Sequence, residues 1–200
     1  MAEEYKKVAK TESLSSITDW KAVDDFVYKM QDKVQGKKIY SIEKLSDGIT
    51  AFIHKEDDLV KIYSDNKDLT LNFSGLHKEA LSLSAKDYVV ECTIINSSND
   101  SIKVYLTDLI YFDGRDISNL PWNTRRQLMK KFSFTETLKE VPSIIVENKE
   151  SAQKAISLIV KLKDSKGVIV RDFNGFYCPG ETSNDVIIEL SKDARQKNQD

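Results

Sequence analysis

Glycine, proline and cysteine are scarce in this chain. Its 200 residues include 7 Gly, 3 Pro and 2 Cys. That composition excludes a disulfide-stapled secreted scaffold, a collagen-like repeat and a Gly- or Pro-rich linker protein. Cys92 and Cys178, together with His54 and His77, are too few for a structural zinc site. No apolar run approaches the roughly 18–20 residues that cross a bilayer. The polar start MAEEYKKVAKTESLSS lacks the apolar stretch of a secretory signal. The expected location is therefore inside the cell and off the membrane: the cytoplasm, with nucleoid or nucleus open. An excess of one charge is missing as well. Thirty Lys and Arg against 32 Asp and Glu leave a net charge of −2, so composition does not predict a protein held on nucleic acid chiefly through phosphates. The patterns GxGxxG, GxxxxGK[ST], HExxH and GxSxG are also absent.

What is present is 40% hydrophobic and 31% charged residues, enough for a substantial core. Ile17, Trp20, Val23, Phe26, Val27, Met30 and Val34 recur at helical spacing and predict a helix over Ser16–Val34. Short strand-like pieces follow: KIYSI, TAFIHK, LVKIYS and DLTLNF, separated by turn residues at Ser46-Asp47-Gly48 and Glu56-Asp57-Asp58. A short helix is expected near Leu76–Leu83, then long strands over Tyr88–Asn96 and Ile102–Tyr111. Helices are expected from Pro121 to Phe132 and from Glu150 to Lys163, and the strands GVIVRD, GFYC and DVIIEL close the chain. The fold class is α+β, with antiparallel strands and helices set on the sheets. Residues 1–15 are expected to be a flexible segment, 16–192 a single domain and 193–200 a polar tail.

Two stretches carry the most information: YSIEKLSDGITAFIHK from Tyr40, and DLIYFDGRDISNLPWNTRRQLMKKF from Asp108. With KGVIVR and YCPGETSNDVIIEL further on, they occur in an order and at spacings that resemble the adenylation domain of ATP-dependent DNA ligases, over roughly residues 38–192. The resemblance implies an antiparallel two-sheet nucleotidyltransferase fold. It also implies a chemistry in which a lysine amine attacks the α-phosphate of ATP while cations neutralise the phosphates.

On that resemblance, most of the reactive positions are changed. The nucleophile, two residues before Asp47, is Leu45. Lys44 is next to it, but neighbouring side chains on a strand face opposite ways, so Lys44 is the fallback nucleophile only if the register slips by one. Thr50 and Asp65 replace arginines. Thr93 replaces a metal-binding glutamate, with Glu91 nearby, and Thr107 replaces the adenine-stacking aromatic. Lys166 stands where a glutamate precedes Gly167, Thr182 replaces an arginine, and Val186, Ile188 and Leu190 replace Trp, Lys and Lys. That apolar row, sharing one strand face with Leu45, predicts a nucleotide pocket closed by its own side chains.

Glu43, Asp47 and Arg171 remain as cofactor-binding candidates, with Asp47-Gly48 read mainly as a turn. Arg125, Arg126, Lys130 and Lys131 are the candidate nucleic-acid patch, the alternative being a solvated helix face. Trp122 and Phe132 read as core anchors, His54 as structural, and Cys92 and Cys178 as buried. On the same resemblance, the family's OB-fold domain is expected to be missing. The resulting expectation is a non-enzyme: a catalytically inactive ligase-like subunit or adaptor in DNA replication, repair or recombination. It would have no metal or cofactor, a protein partner, and nucleic acid as a further partner class. The alternatives are a nucleic-acid-binding module and a nucleotidyltransferase using Lys44.

Overall fold

The computed structural model describes residues 8–14, 39–65, 67–96, 101–177 and 182–190. The helix expected over Ser16–Val34, Cys178 and the tail at 193–200 lie outside the described residues. The elements run β1 (Val8–Leu14), β2 (Tyr40–Ser46), β3 (Ile49–Glu56), β4 (Leu59–Ser64), β5 (Lys67–Asp68) and α1 (Ser74–Ser82). They continue with β6 (Tyr88–Asn96), β7 (Ile102–Phe112), β8 (Arg115–Asp116), α2 (Trp122–Met129), β9 (Leu138–Glu140) and β10 (Ser143–Val146). The last are α3 (Lys149–Ile159), β11 (Ser165–Asp172) and β12 (Thr182–Leu190).

The chain divides into two compact units, each built on one sheet. One unit takes the described residues of Met1–Val8, Gly48–Val141 and Phe176–Thr182. The other takes those of Ala9–Asp47, Pro142–Gly175 and Ser183–Asp200. The first sheet has the order β1-β12-β11-β2-β10. The second has the order β5-β4-β3-β6-β7-β8, with β9 pairing parallel to β7. Every pair with a recorded register other than β7–β9 is antiparallel. The α+β fold class of two antiparallel sheets is therefore what the chain adopts.

In the larger sheet, alternation sends Ala51, Ile53, Val60, Ile62, Tyr88, Val90, Cys92 and Ile94 to one face, where they pack with Leu76 and Ala80 of α1 and with Met129 and Phe132. Burying each aliphatic side chain of this size contributes about 1.5–3 kcal/mol. Phe52, Val89, Ile110 and Tyr177 form a smaller cluster apart from that core. The end of α1 is closed by a side chain, because Lys55 Nζ donates to the carbonyls of Leu81, Leu83 and Ala85 at 3.2, 3.4 and 2.6 Å. Carbonyls left without helical partners, at the negative end of the dipole, are where an ammonium is favoured.

In the other unit, Tyr40, Ile42, Val168, Val170 and Ile188 pack beneath Ala152, Ala155, Ile156 and Ile159 of α3. Asn148 starts α3 with a reciprocal cap. Its side chain accepts from Ser151 N at 2.9 Å, while Ser151 Oγ accepts from Asn148 N at 3.2 Å.

Several local expectations change. Val8–Leu14 is a strand at the edge of the five-stranded sheet, where composition alone suggests a flexible segment. DLTLNF is not a strand: Asp68 Oδ1 accepts from Thr70 N at 2.9 Å and starts a 3-10 turn over Thr70–Phe73 that buries Phe73. Gly175–Tyr177 is irregular, with Tyr177 N donating to Ser118 O at 2.9 Å and its ring buried. The short strands β9 and β10 flank Pro142 and carry too few residues to show a period. Gly48 is required by close approach rather than by a turn, since a Cβ there would meet Ile94 O at 2.5 Å and Thr93 Cγ2 at 2.8 Å.

Candidate functional site

On the sheet of β2, β11 and β12, the face under α3 holds the even-numbered Tyr40, Ile42, Val168, Val170 and Ile188. By alternation, the opposite face holds Ser41, Glu43 and Leu45 of β2, Ile169 and Arg171 of β11, and Asp185, Ile187 and Glu189 of β12. Ile188 is therefore turned away from Leu45, and its side chain packs beneath the helix. The expected apolar lining fails at that residue, and β12 offers two carboxylates and one Ile to the Leu45 face.

Three charged groups meet on this face. Arg171 Nε donates to Glu43 Oε2 at 2.6 Å, and Arg171 Nη1 donates to Asp185 Oδ2 at 2.9 Å. Glu43 is 0% exposed and Arg171 3%. Charges this deep are sustained only when they are paired and hydrogen-bonded, and the guanidinium fork suits two carboxylates. Of the cofactor-binding candidates, the fold thus brings Glu43 and Arg171 into contact.

Lys44 lies elsewhere. Its backbone opposes Val168 while Leu45 opposes Gly167, so the register has not slipped. Its Nζ donates to Lys163 O at 2.6 Å, in the loop after α3, on the side away from Glu43 and Arg171. The fallback nucleophile is thus a buried ammonium bonded to a carbonyl behind the sheet, and it does not face the charged group.

A different lysine does reach that face. Between β2 and β11 the register shifts: Ser165 opposes Ser46 and Gly167 opposes Leu45, which leaves Lys166 as an extra residue. Bulges of this kind re-aim a side chain. Lys166 Nζ lies 3.7 Å from Asp47 Oδ1 and 3.7 Å from Glu189 Oε1. Gly167 permits the arrangement: its φ is +155°, and a Cβ would press on Ile188 O and Glu189 Cα. The sequence comparison counts Lys166 only as a lost glutamate. The Lys-Gly pair opening an apolar strand was the signal for it, but the bulge that directs the side chain is invisible in one dimension. Asp47 is thus more than a turn residue, since it holds one side of this ammonium.

In the unit built on Gly48–Val141, the candidate nucleic-acid patch separates. Arg125 is 1% exposed and grips Asp108 through two bonds of 2.8 Å, Nε to Oδ1 and Nη2 to Oδ2, with Nη1 donating to Leu120 O. Arg126 is buried too. It pairs with Glu140, donates to Val141 O at 2.6 Å and lies 5.5 Å from the centre of the Trp122 ring. Neither arginine is a solvated patch residue. Asp108 and the segments after α2 supply partners that a helical wheel cannot show. Lys130 and Lys131 are exposed, with Lys131 Nζ 5.7 Å from the Phe112 ring centre. Trp122 and Phe132 are buried, as is Cys92, whose thiol pKa is raised by burial.

Thr50 opposes Thr93 across β3 and β6, and Glu91 opposes Asp108 across β6 and β7. Thr107 is the extra residue of a β7 bulge and is buried. Asp65 holds a positive φ of 43° after β4, a conformation that Asp tolerates. Among the described residues no group of three or more His, Cys, Asp or Glu is arranged to hold a metal ion. None of their helices is long and apolar enough to cross a membrane.

Residues 82–187, more than half of the chain, match the ATP dependent DNA ligase domain. The chain belongs to that family. A DNA ligase of Methanococcus aeolicus is 24% identical over 67% of this chain and 29% of its own length. DNA ligase of Variola virus is 24% identical over 63% of this chain and 20% of its own. Among solved structures, the ligase domain of Mycobacterium tuberculosis LigD aligns with a TM-score of 0.64 at 16% identity, covering 90% of this chain and 59% of that one. A mycobacterial DNA ligase D complexed with ATP and MES aligns at 0.59 and 19% identity, covering 91% and 60%. The chain thus spans less than a third of those curated ligases and about three fifths of those solved chains.

Membership of the DNA ligase domain family, with relatives that are themselves DNA ligases, corrects the expectation of a non-enzyme and points to an enzyme. The DNA ligase-like adenylation fold is what the comparisons establish.

Proposed function

We propose that this chain is the nucleotidyl-transfer part of an ATP-using ligase that joins nucleic-acid ends in replication, repair or recombination, with Lys166 as the amine that accepts the nucleotide. The observation that carries this reading is the bulge on β11. It sets the Lys166 ammonium between Asp47 and Glu189, on the face of the buried Glu43–Arg171–Asp185 group. The lysine missing at position 45 of β2 is thereby replaced by one reaching in from the neighbouring strand.

The step balances with residues at hand. Nζ loses a proton to Asp47 or Glu189 and attacks the α-phosphorus of ATP. The N–P bond forms, the α–β phosphoanhydride bond breaks, and pyrophosphate leaves. Arg171, held rigid by two carboxylates, and Glu43 shape the same face for the nucleoside. A divalent cation would arrive with the nucleotide phosphates, since the described residues provide no cluster for one. The nucleic-acid end is the second substrate, as it is for proteins named DNA ligase.

The test is incubation with α-³²P-ATP and Mg²⁺, followed by denaturing electrophoresis. A labelled adduct in the wild type, kept in Lys44→Ala and lost in both Lys166→Ala and Lys166→Arg, is the expected pattern. The arginine variant separates nucleophile from counter-ion, because it retains the positive charge between Asp47 and Glu189 without a transferable amine. An adduct that persists in Lys166→Arg, or none in the wild type, refutes the proposal.

A further inference from the structure

The register of the larger sheet aligns a second set of functional side chains, outside the site above. Lys61 opposes His54, His54 opposes Val89, and Val89 opposes Tyr111, so one cross-strand row runs β4-β3-β6-β7. At about 4.8 Å per strand, the row spans roughly 14 Å. Residues of the row together with Tyr63, two positions along β4, line a cavity of about 290 Å³. The His54 and Tyr63 rings meet edge to face with centres 5.2 Å apart.

Two observations point to a ligand rather than to packing. Among the described residues the Lys61 ammonium makes no close ion pair, although the Asp68 carboxylate, opposite Tyr63 on β5, acts on its charge, and the Tyr63 and Tyr111 hydroxyls have no hydrogen-bond partner. The ammonium of Lys55, which also lines the cavity, is by contrast committed to three carbonyls. The cavity thus offers the Lys61 cation, with Asp68 as a neighbouring charge, and two phenols beside aromatic and aliphatic surface. The acids that line the cavity, Glu56 and Asp87, lie at the end near the β3–β4 turn, and Asp68 on β5 flanks the Lys61 end. Burial pushes the His54 pKa down to about 4, so its ring is uncharged at neutral pH and offers hydrogen bonding and stacking rather than charge.

We infer that this cavity takes an unstacked base and the adjoining phosphate of a single-stranded nucleic acid, the base against Tyr111, Val89 and Tyr63 and the phosphate on Lys61. Bases stack on aromatic side chains carried on an exposed sheet face, and a nearby cation follows the backbone. A free mononucleotide shares this chemistry but extends no further than one base and its phosphate. The choice of nucleic acid as partner rests on the ligase reading above; the cavity itself does not.

The experiment uses the full chain and a 12-nucleotide single strand with 2-aminopurine at its centre, read by fluorescence at pH 7. AMP serves as the mononucleotide arm, and adenylation of each variant is measured in parallel. Tyr63→Leu and Tyr111→Leu, which keep apolar volume, are expected each to weaken strand binding about tenfold. Lys61→Gln is expected to lower the slope of log K against log salt by about 0.7. Adenylation should be unchanged in all three. Absence of adenylation in the wild type, with strand binding present and weakened by the three variants, would strike at the function proposed above and leave this site standing. The inference is overturned by the absence of strand binding, by binding that all three variants leave untouched, or by AMP binding as tightly as the strand. Thermal unfolding of each variant separates lost binding from lost fold.

Discussion

Removing the Arg125 guanidinium should unfold the larger unit more readily than any single surface change. Arg125 and Asp108 are both 1% exposed in their side chains and meet through two parallel bonds of 2.8 Å. Arg125→Met keeps much of the aliphatic stem but leaves the Asp108 carboxylate buried without its partner, and the Leu120 carbonyl loses a donor. Breaking a buried pair from one side costs about 3–5 kcal/mol. An exposed pair such as Glu150–Lys154 of α3 contributes well under that. The difference decides the experiment, because a small domain has only about 5–15 kcal/mol in total. With a urea m-value near 2 kcal/mol/M, the midpoint should fall by on the order of 2 M. The reporter is Trp122, whose buried ring lies against Arg126 in the same helix, followed in a Trp20→Phe background. Asp108→Leu with Arg125→Met should be milder than the sum of the single changes, because the double variant leaves neither charge orphaned. A midpoint shift below about 0.5 M for Arg125→Met, or strict additivity in the double variant, would refute the reasoning and return Arg125 to the solvated face.

Two further outcomes follow from the same structure. His54 has a folded-state pKa near 4 against an ordinary 6.5 because burial disfavours its charged form. The unfolded chain therefore binds more protons between those values, so its contribution to stability is complete above about pH 6.5 and is lost as pH falls toward 4. Urea midpoints at pH 7, 5.5 and 4.5 should fall less steeply in His54→Phe than in the wild type, and parallel curves would contradict the burial argument. Gly167→Ala forces a Cβ onto the β12 backbone at a positive φ. It should destabilise by at least about 1 kcal/mol and reduce adenylation by displacing Lys166. A fully stable Gly167→Ala protein with altered labelling would show that the bulge positions chemistry without supporting the fold.

Much of the fold was legible before any coordinates. The long strands at Tyr88 and Ile102, the helices after Pro121 and around Ala152–Ile159, and the motif order around Asp47-Gly48 and Asp108 all carry local periodicity or spacing. These do not depend on distant residues. What failed was either short, such as β9 and β10, or governed by a single hydrogen bond, such as the Thr70–Phe73 turn set by Asp68. The site was less legible. The β12 row facing Leu45 was displaced by one residue, which on a strand exchanges the two faces and replaces carboxylates with aliphatics.

By itself, the amino-acid order determined the family, the α+β class and which faces of the helices are apolar, because these follow from spacing along the chain. Only the tertiary structure decided which charges are internal. Arg125 and Arg126 read as surface residues on a helical wheel and are buried by Asp108, Glu140 and Val141, which come from other segments. Only the tertiary structure brings Lys166 between Asp47 and Glu189, because a bulge is a relation between two strands that no single segment encodes.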